Sequence, residues 1–434
     1  MQYLILFAHR HVDFRLPELD VLLEMQGLNP EVCYDRQAAY DRMKANPTSV
    51  SPLLSVQLPS EQHAIILAER GVLVRAIYEF FAIGSDYNSL ISELQGAMPR
   101  LVPFATSSWR LDIEAFGRRF SMTEQTERRE LVKPYLIDAF PGPVKMKDPN
   151  EWFLILEEYA VNTLPHELLH VYFVRTLAGN YRSKIPGGSR ALVHTLTLKK
   201  RAYIGPTSMD TELALIMANM GQVTPCDFVL DPFVGTGSIL IPCAAFGAFT
   251  FGTDIDIRIL RGKKGKNLFS NFAQYKLPFP ELLRSDTSRP NWYGENIFDA
   301  IICDPPYGIR AGARKSGCPI EELKEIPEEF HESHIPKTQC YEGDDMMHDL
   351  LQLAATALKP GGRLVYLIPT PYDFENSDLP THPNLKFIAS SEQGLSTHVA
   401  RRLVTMEKRL ILSNAPAPRT CRLFQKLREI RTAL

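Results

Sequence analysis

Apolar and polar positions follow two different patterns along this chain. The first third mixes short apolar runs such as 3–8 (YLILFA) with leucines at helical spacing over 16–23, which is typical of compact α+β modules. Apolar residues three and four positions apart predict a helix over 61–80. Alternating apolar positions predict a strand within 107–120 and a pair of strands over 144–159.

After Gly205 the pattern becomes regular, with strands and helices in alternation. Helices are predicted at 207–220, 257–272 and 345–358, and strands at 227–231, 250–255, 281–285, 298–304 and 362–369. This order predicts an α/β fold with a doubly wound, mostly parallel, Rossmann-like sheet. Such sheets bind ligands beyond the carboxyl ends of their strands, so residues that follow strands are the candidates for a site.

Composition narrows the class of protein. The 434 residues, 45% hydrophobic and 23% charged, indicate a globular protein of two or three domains. Because 48 Lys and Arg face 50 Asp and Glu, a polyanion would have to be held by local basic surfaces. The seven cysteines include no Cys-x-x-Cys pair, which argues against a disulfide framework or a zinc knuckle and predicts a reducing, cytoplasmic location. No apolar stretch is long enough for a membrane span, so a soluble protein is expected.

A glycine-rich turn follows the first strand of the regular part. Residues 231–238 (DPFVGTGS) place Asp231 at the strand end and Gly235 and Gly237 where the backbone can approach a ligand. Leu240 occupies the third glycine position of the dinucleotide fingerprint, which argues against NAD. Asp254, at the end of the next strand, is suitably placed to accept hydrogen bonds from ribose hydroxyls, and its charge suits a ligand that carries a sulfonium cation.

A third carboxylate, Asp286, follows the next predicted strand. It could accept a hydrogen bond from an adenine amino group. It could equally cap a turn or helix before Ser288, and the sequence leaves both possibilities open.

The most specific motif is FDAIICDPPYG at 298–308. A buried strand ends in Asp304, Pro305, Pro306 and Tyr307, and the two prolines fix the backbone. The Asp304 carboxylate and the Pro305 carbonyl can hold the two hydrogens of an exocyclic base amino group and so aim its lone pair at an electrophile. Tyr307 offers a stacking face for an extruded base. The alternative is a structural proline-rich turn.

Together these motifs resemble a known family. DPFVGTGS, GTDID and DPPYG, with GPTSMD at 205–210 and LKPGGRLVYLIP at 358–369, are similar to S-adenosylmethionine-dependent amino-methyltransferases. Segments 304–317 and 394–408 resemble, more narrowly, the eukaryotic tRNA (guanine-N2)-methyltransferases that modify the guanosine at tRNA position ten. The resemblance implies S-adenosyl-L-methionine as cofactor, tRNA as substrate, an N-terminal THUMP domain that binds RNA, and a small zinc-binding activator protein as partner.

The resemblance also implies roles for individual residues. Asp231, Gly235 and Gly237 would contact the methionine side of the cofactor, Asp254 its ribose and Asp286 its adenine. The catalytic tetrapeptide would be Asp304, Pro305, Pro306 and Tyr307. No metal site is expected in this chain, because the zinc would belong to the partner.

Five segments are expected along the chain. They are an N-terminal α+β subdomain (1–60), a THUMP RNA-binding domain (61–180), a basic linker (181–204), a class I methyltransferase domain (205–412) and a basic C-terminal helix or tail (413–434).

Positive charge for RNA is concentrated in a few places. No Asp or Glu occurs over 168–209, which is either a solvated connector or a strip that contacts phosphates. The predicted RNA contacts are Arg118, Arg119, Arg182, Lys184, Lys199, Lys200 and Arg201. The basic run at 258–266 is interpreted as a solvated helix face, and the acidic stretch at 311–345 as a lid or a partner-facing segment.

Two other functions remain open at this stage. A DPPY motif also serves methylation of adenine N6 in DNA, and a degenerate cofactor fold could act as a non-catalytic RNA-binding scaffold. Intact Asp254, Asp304 and the glycine turn argue against the scaffold.

Overall fold

The architecture is seen in a computed structural model. It describes the chain except for residues 46–49, 138–139, 162–165, 180–187, 291, 293, 307–312, 318–336, 396–398, 411–412, 414 and 434. The chain divides into two compact units, Met1–Leu192 and Val193–Leu434. The division falls within helix α7 (Gly188–Thr195).

The first unit is built on one mixed sheet. Its strands are β1 (Gln2–Phe7), β2 (Leu53–Gln57), β3 (Val74–Gly84), β4 (Trp109–Phe116), β5 (Glu151–Tyr159) and β6 (Leu168–Ala178), in the order β2-β1-β3-β6-β5-β4. Its helices are α1 (Arg15–Glu24), α2 (Pro30–Cys33), α3 (Arg36–Ala45), α4 (Glu61–Arg70), α5 (Tyr87–Leu101) and α6 (Met122–Ile137). Among the described strands of this sheet, only β4 and β5 are parallel neighbours, and the α+β class predicted for this half is confirmed.

The helix predicted over 61–80 is wrong in its second half. Helix α4 ends at Arg70, and after the Gly71 cap the chain enters β3, which pairs with both β1 and β6. Most side chains of β3 are buried, so apolar residues occur on both of its faces. A strand buried on both faces has no alternating pattern, and its apolar residues therefore also match helical spacing.

The pair of strands predicted over 144–159 is also corrected. Only β5 is a strand, while Val144 makes an isolated bridge to Trp109. One core cluster of this unit lies where α5 and α6 cover the sheet, around Leu90, Leu94 and the stacked rings of Phe153 and Phe173. Burial of these apolar side chains between the helices and the sheet is the main favourable contribution to the stability of this part of the fold.

The second unit contains the predicted regular alternation. Its strands are β7 (Phe228–Asp231), β8 (Phe249–Asp254), β9 (Glu281–Arg284), β10 (Phe298–Cys303), β11 (Arg314–Ser316), β12 (Thr338–Cys340), β13 (Leu358–Pro371), β14 (Leu385–Gly394) and β15 (Val399–Lys408). Its helices are α8 (Thr211–Met220), α9 (Leu240–Ala245), α10 (Ile257–Arg261), α11 (Leu268–Tyr275), α12 (Gly343–Ala357) and α13 (Arg422–Ala433).

Seven of these strands form one sheet in the order β14-β15-β13-β10-β7-β8-β9. Strands β13, β10, β7, β8 and β9 are parallel, which confirms the predicted doubly wound sheet. At one end of the sheet β15 pairs antiparallel with β13, and β14 pairs antiparallel with β15. The sequence patterns did not predict these two strands. The chain order reverses at β7, because β8 and β9 lie on one side of it and β10 and β13 on the other.

The single helix predicted over 257–272 is two helices. Helix α10 ends at Arg261 and is capped by Gly262, whose φ of 81° is in the left-handed region. Helix α11 starts after Asn267, whose side chain accepts a hydrogen bond from the backbone N–H of Ser270. Between them Lys263 and Lys266 form a tight bridged turn. The basic run at 258–266 therefore lies largely on a turn, where glycine relieves the strain of positive φ.

Candidate active site

Four aspartates lie at the carboxyl ends of neighbouring parallel strands in the second unit's sheet. Asp304 follows β10, Asp231 ends β7, Asp254 ends β8, and Asp286 comes two residues after β9. The registers pair Ile301 with Leu230, Asp231 with Gly252 and Asp254 with Arg284, so these strand ends lie side by side. Adjacent strands are about 4.8 Å apart. The structure therefore brings the four predicted carboxylates together at the carboxyl ends of the strands. They lie on both sides of β7, where the chain order reverses.

The glycine-rich turn between β7 and α9 has the backbone that glycine alone adopts easily. Gly235 and Gly237 have φ values of 49° and 77°. A Cβ atom on Gly237 would lie 2.6 Å from Cγ of Leu268, so the buried Leu268 side chain at the start of α11 would have to shift. The turn is tied to β8, because the N–H of Val234 donates to the carbonyl of Thr253 at 2.9 Å. At Gly235, whose N–H donates to Asp254, the backbone is free of a side chain and no atom of the described residues crowds the position.

Asp231 and Asp254 are held by backbone donors. The buried Asp231 accepts from the N–H of Phe233 at 3.0 Å. Asp254 accepts from the N–H groups of Gly235 at 3.1 Å and Asp256 at 2.8 Å. Burial raises the pKa of Asp231 well above its usual value, and the nearby carboxylates of Asp254 and Asp304 raise it further. Burial also raises the pKa of Asp254. Like charges this close favour a cationic ligand, because a cation offsets their repulsion.

Asp286 makes the turn contact that the sequence left open, and one more. It accepts from the N–H of Ser288 at 2.9 Å and from its hydroxyl at 2.8 Å, although no helix follows. Its other oxygen accepts from the N–H of Ser316, in β11, at 2.6 Å. Burial alone would raise the pKa of Asp286, but these hydrogen bonds outweigh it and lower that pKa. Asp286 thus anchors strand β11, which pairs with β12, and its contact with adenine remains a prediction.

The predicted catalytic turn begins as β10 leaves the sheet. Asp304 and Pro306 are partly exposed and Pro305 is buried, whereas Tyr307 lies outside the described residues. Burial raises the pKa of the preceding Cys303 thiol well above its usual value, and the carboxylates of Asp231 and Asp304 add to that shift. Cys303 therefore stays a neutral thiol in the core.

The predicted RNA contacts fall into different environments. Arg119, Lys199 and Lys200 are exposed. Arg118 forms an ion pair with Glu124, and its guanidinium lies 5.7 Å from the ring centroid of Tyr159. Arg182 and Lys184 lie outside the described residues.

Arg201 is not placed as an RNA contact, and that prediction is corrected. Its side chain is buried, with the residue 7% exposed. The guanidinium donates to the carbonyl of Leu196 at 3.1 Å and to the hydroxyls of Ser238 at 3.0 Å and Thr211 at 3.2 Å. Burial lowers the pKa of Arg201. A guanidinium enclosed in this way cannot reach a phosphate on the surface.

The sequence patterns did not predict two side-chain contacts at the site. The hydroxyl of Ser208 lies 2.7 Å from that of Thr236 in the glycine-rich turn, and Ser316 binds Asp286. The GPTSMD motif at 205–210 was the available signal for Ser208. Nothing local marks Ser316, which follows Asp286 by thirty residues.

Neither a metal centre nor a membrane span is found within the described part of the chain. No group of three or more His, Cys, Asp or Glu side chains there could hold a metal ion. The helices there are too short or too polar to cross a bilayer. The cysteines described there are free.

The two units match two domain families. Residues 1–182 match the Tmrp11 THUMP N-terminal domain, and residues 199–331 match the RMKL-like methyltransferase domain. Among solved structures, TrmN from Thermus thermophilus is 19% identical over 94% of this chain and 100% of its own length, with a TM-score of 0.41.

Two curated relatives have a much higher sequence identity to this chain than TrmN does. The tRNA (guanine(10)-N(2))-methyltransferase TRMT11 of Homo sapiens is 38% identical over 430 residues, which are 94% of this chain and 88% of the human protein. The protein of the same name from Dictyostelium discoideum is 35% identical over 94% of this chain and 82% of its own length. This chain therefore belongs to the tRNA (guanine(10)-N(2))-methyltransferase family.

Proposed function

We propose that this enzyme transfers a methyl group from S-adenosyl-L-methionine to the exocyclic N2 of the guanosine at position ten of tRNA. The observation that carries the proposal is the row of Asp304, Asp231, Asp254 and Asp286 along one sheet edge, beside a glycine-rich turn. The names of the relatives at 38% identity support the choice of base and position. From the cysteine spacing we further infer a cytoplasmic location.

The residues at this edge suit the cofactor. Asp254 uses one lone pair of each oxygen for a backbone N–H, which leaves acceptor capacity for ribose hydroxyls. Gly235 and Gly237 allow close backbone approach, and the carboxyl group of Asp231 lies at the end of β7, just before them. When bound, the cofactor supplies an electrophilic methyl group. Asp286 is placed one strand beyond Asp254, on the side where adenine would follow ribose.

The acceptor base would be held at the turn after β10. An amino group conjugated to a purine ring is a poor nucleophile, because its lone pair is delocalised into the ring. The Asp304 carboxylate and the Pro305 carbonyl would accept its two hydrogens and fix the direction of its lone pair. Tyr307, from its place in the motif, would stack on the base.

Mapping the methylated nucleotide tests this function directly. The full chain, co-expressed with its partner and supplied with the labelled cofactor, is expected to add the methyl group to N2 of guanosine 10 in unmodified tRNA. A tRNA with adenosine at position ten should accept no methyl group there. Transfer to duplex DNA, or to N6 of an adenine, would instead support the alternative acceptor, since the turn after β10 suits either amino group.

We propose that exposed cations near the start of the second unit contribute to tRNA binding. Lys199 and Lys200 are exposed, and Arg182 and Lys184 belong to the same acid-free stretch. Neutralising all four should make the slope of log affinity against log salt shallower by about 0.7 to 0.9 for each phosphate that the protein no longer neutralises. The measurement is a salt titration of tRNA binding.

A second set of lysines is the control for that titration. Lys263, Lys264 and Lys266 are equally exposed but lie on the turn between α10 and α11. Their neutralisation should change the slope less. A larger change for this set, or an unchanged slope for the first set, would contradict the proposed tRNA surface.

We propose that the zinc-binding activator covers the β9 edge of the second unit's sheet. Strand β9 ends the sheet, and apolar side chains near this edge are exposed: 52% for Phe249, 62% for Phe279 and 42% for Leu283. The ring of Phe269, on α11, lies 5.6 Å from that of Phe279. Exposed apolar side chains beside the outer edge of a terminal strand are typical of a protein interface and promote aggregation when uncovered.

The isolated chain is accordingly expected to be poorly soluble and weakly active, and co-expression with the activator should restore both properties. Replacing Phe279 and Leu283 with aspartate should abolish co-purification of the activator. Phe387, 40% exposed on β14 at the other edge, provides the matched Phe387→Asp control. If the isolated wild-type chain is soluble and fully active, the activator has no place in this function.

A further inference from the structure

The segment just before α8 is held against α11 by side chains of that helix. We call residues 200–208 the strap. Asn271 is fully buried, and its amide pairs with both backbone groups of Tyr203, accepting at 2.9 Å and donating at 2.7 Å. Gln274 does the same one turn later, accepting from the N–H of Ala202 and donating to the carbonyl of Lys200. The strap therefore has a defined conformation, although it contains no helix or strand beyond a turn that ends at Lys200.

Arg201 points from the strap into the interior, toward the glycine-rich turn. Its three donors reach three different segments: the carbonyl of Leu196, the hydroxyl of Thr211 at the start of α8, and the hydroxyl of Ser238. Thr211 also donates to the carbonyl of Leu196 at 2.9 Å. These three hydrogen bonds of the buried guanidinium all go to neutral oxygens. Burial lowers the pKa of Arg201, and the nearby negative charge of Asp210 opposes that shift.

Hydroxyl groups continue these contacts across the glycine-rich turn. Ser238 and Thr236 have their hydroxyl oxygens 3.3 Å apart, and Thr236 lies 2.7 Å from Ser208. Ser208 in turn accepts from the N–H of Gly205 at 2.9 Å. The strap thus holds the turn at two points, Ser238 through Arg201 and Thr236 through Ser208. Gly235 and Gly237, whose backbone would face the cofactor, alternate with these two anchored residues.

We propose that Arg201 is a positioning residue for cofactor binding, which holds the glycine-rich turn in its binding conformation through Ser238. The proposal rests on the cofactor site assigned above. Glycines are flexible, so a turn with two of them needs outside contacts to keep one shape before a ligand arrives. Preorganisation of this kind lowers the cost of binding.

The geometry of the guanidinium matters in this role, and not its charge alone. Arginine presents a rigid planar fork of donors, whereas the ammonium of lysine is a single point on a flexible stem. A lysine at position 201 would keep the positive charge but could not reach three segments at once. Arg201→Lys should therefore resemble Arg201→Met in cofactor affinity, which a purely electrostatic role would not produce.

The test is a double-mutant cycle on the full chain, with S-adenosylhomocysteine as the probe and calorimetry as the readout. Arg201→Met is expected to weaken binding about tenfold and Ser238→Ala about threefold, as when single hydrogen bonds are removed. The double variant should weaken binding by less than the product of the two factors, because Arg201 acts through Ser238. In turnover assays KM for the cofactor should rise while kcat at saturation stays within about twofold.

Controls separate this role from a general loss of stability. Lys386→Met, at an exposed cation on β14, should leave probe affinity unchanged. If Arg201→Met does not fold, Arg201→Lys completes the same cycle. The positioning role would be overturned if the Arg201 variants bound the probe with wild-type affinity. It would also be overturned if the loss of affinity in the double variant equalled the product of the two single losses. A wild-type chain that does not bind the probe at all would overturn the cofactor site itself.

Discussion

Replacing Asp304 with alanine is expected to lower methyl transfer to tRNA by about a hundredfold or more. The carboxylate is the proposed acceptor for one hydrogen of the guanine amino group, and without it the lone pair has no fixed direction. Cofactor affinity should stay within a few-fold of wild type, because the ribose carboxylate, Asp254, is two strands away from β10. Single-turnover kinetics with saturating cofactor, together with direct cofactor binding, measure the two effects separately.

The same strand offers a matched control. Asp299 lies at the opposite end of β10, where it pairs with Lys359 at 2.7 Å and accepts from the N–H of Phe228. Asp299→Asn changes an acidic residue of the same strand far from the site, so turnover should remain within about twofold. Substantial activity in the Asp304 variant would show that the catalytic assignment is wrong.

Replacing Asp254 with alanine should weaken cofactor binding and largely spare turnover, the opposite of what is expected for Asp304→Ala. We expect cofactor binding to weaken by about 1 to 3 kcal/mol, since hydrogen bonds to a charged group are removed. The glycine-rich turn would also be held less firmly, because Asp254 accepts from the N–H of Gly235. Turnover at saturating cofactor should fall much less. Calorimetry on the variant, with Asp227→Asn at the amino end of β7 as control, measures the change in affinity; unchanged affinity would remove Asp254 from the site.

The pKa of Asp254 adds a pH dependence to this prediction. Burial raises that pKa above its usual 3.8, so the carboxylate becomes protonated at a higher pH than an exposed aspartate does. Ribose hydroxyls and a sulfonium both favour the ionised form. Cofactor affinity should therefore fall as pH is lowered from neutral, before exposed carboxylates titrate. In Asp254→Asn the affinity should be weaker and this part of the pH dependence reduced; an unaltered pH profile would contradict the assignment.

The arrangement of the four aspartates could be inferred from the linear sequence. Short apolar runs before Asp231, Asp254 and Asp304 predict strands of a parallel sheet, and their alternation with helices places the carboxyl ends of those strands at one edge. The glycines at 235 and 237 could be assigned for a similar reason, because positive φ in a tight turn selects glycine locally. These properties depend on neighbours within a few residues, so local sequence carries them.

Other features depend on contacts between distant segments, and only the folded chain could reveal them. Arg201 looks like one more cation in a basic stretch, yet it is buried because Ser238, 37 residues later, folds against it. Asp286 binds Ser316 across thirty residues, a contact that no local pattern marks. The segment after Gly71 becomes strand β3 because β1 and β6 pair with it on both sides, and those backbone hydrogen bonds outweigh its helical spacing. Long-range hydrogen bonding and burial thus determined which charges face solvent and which hold the site together.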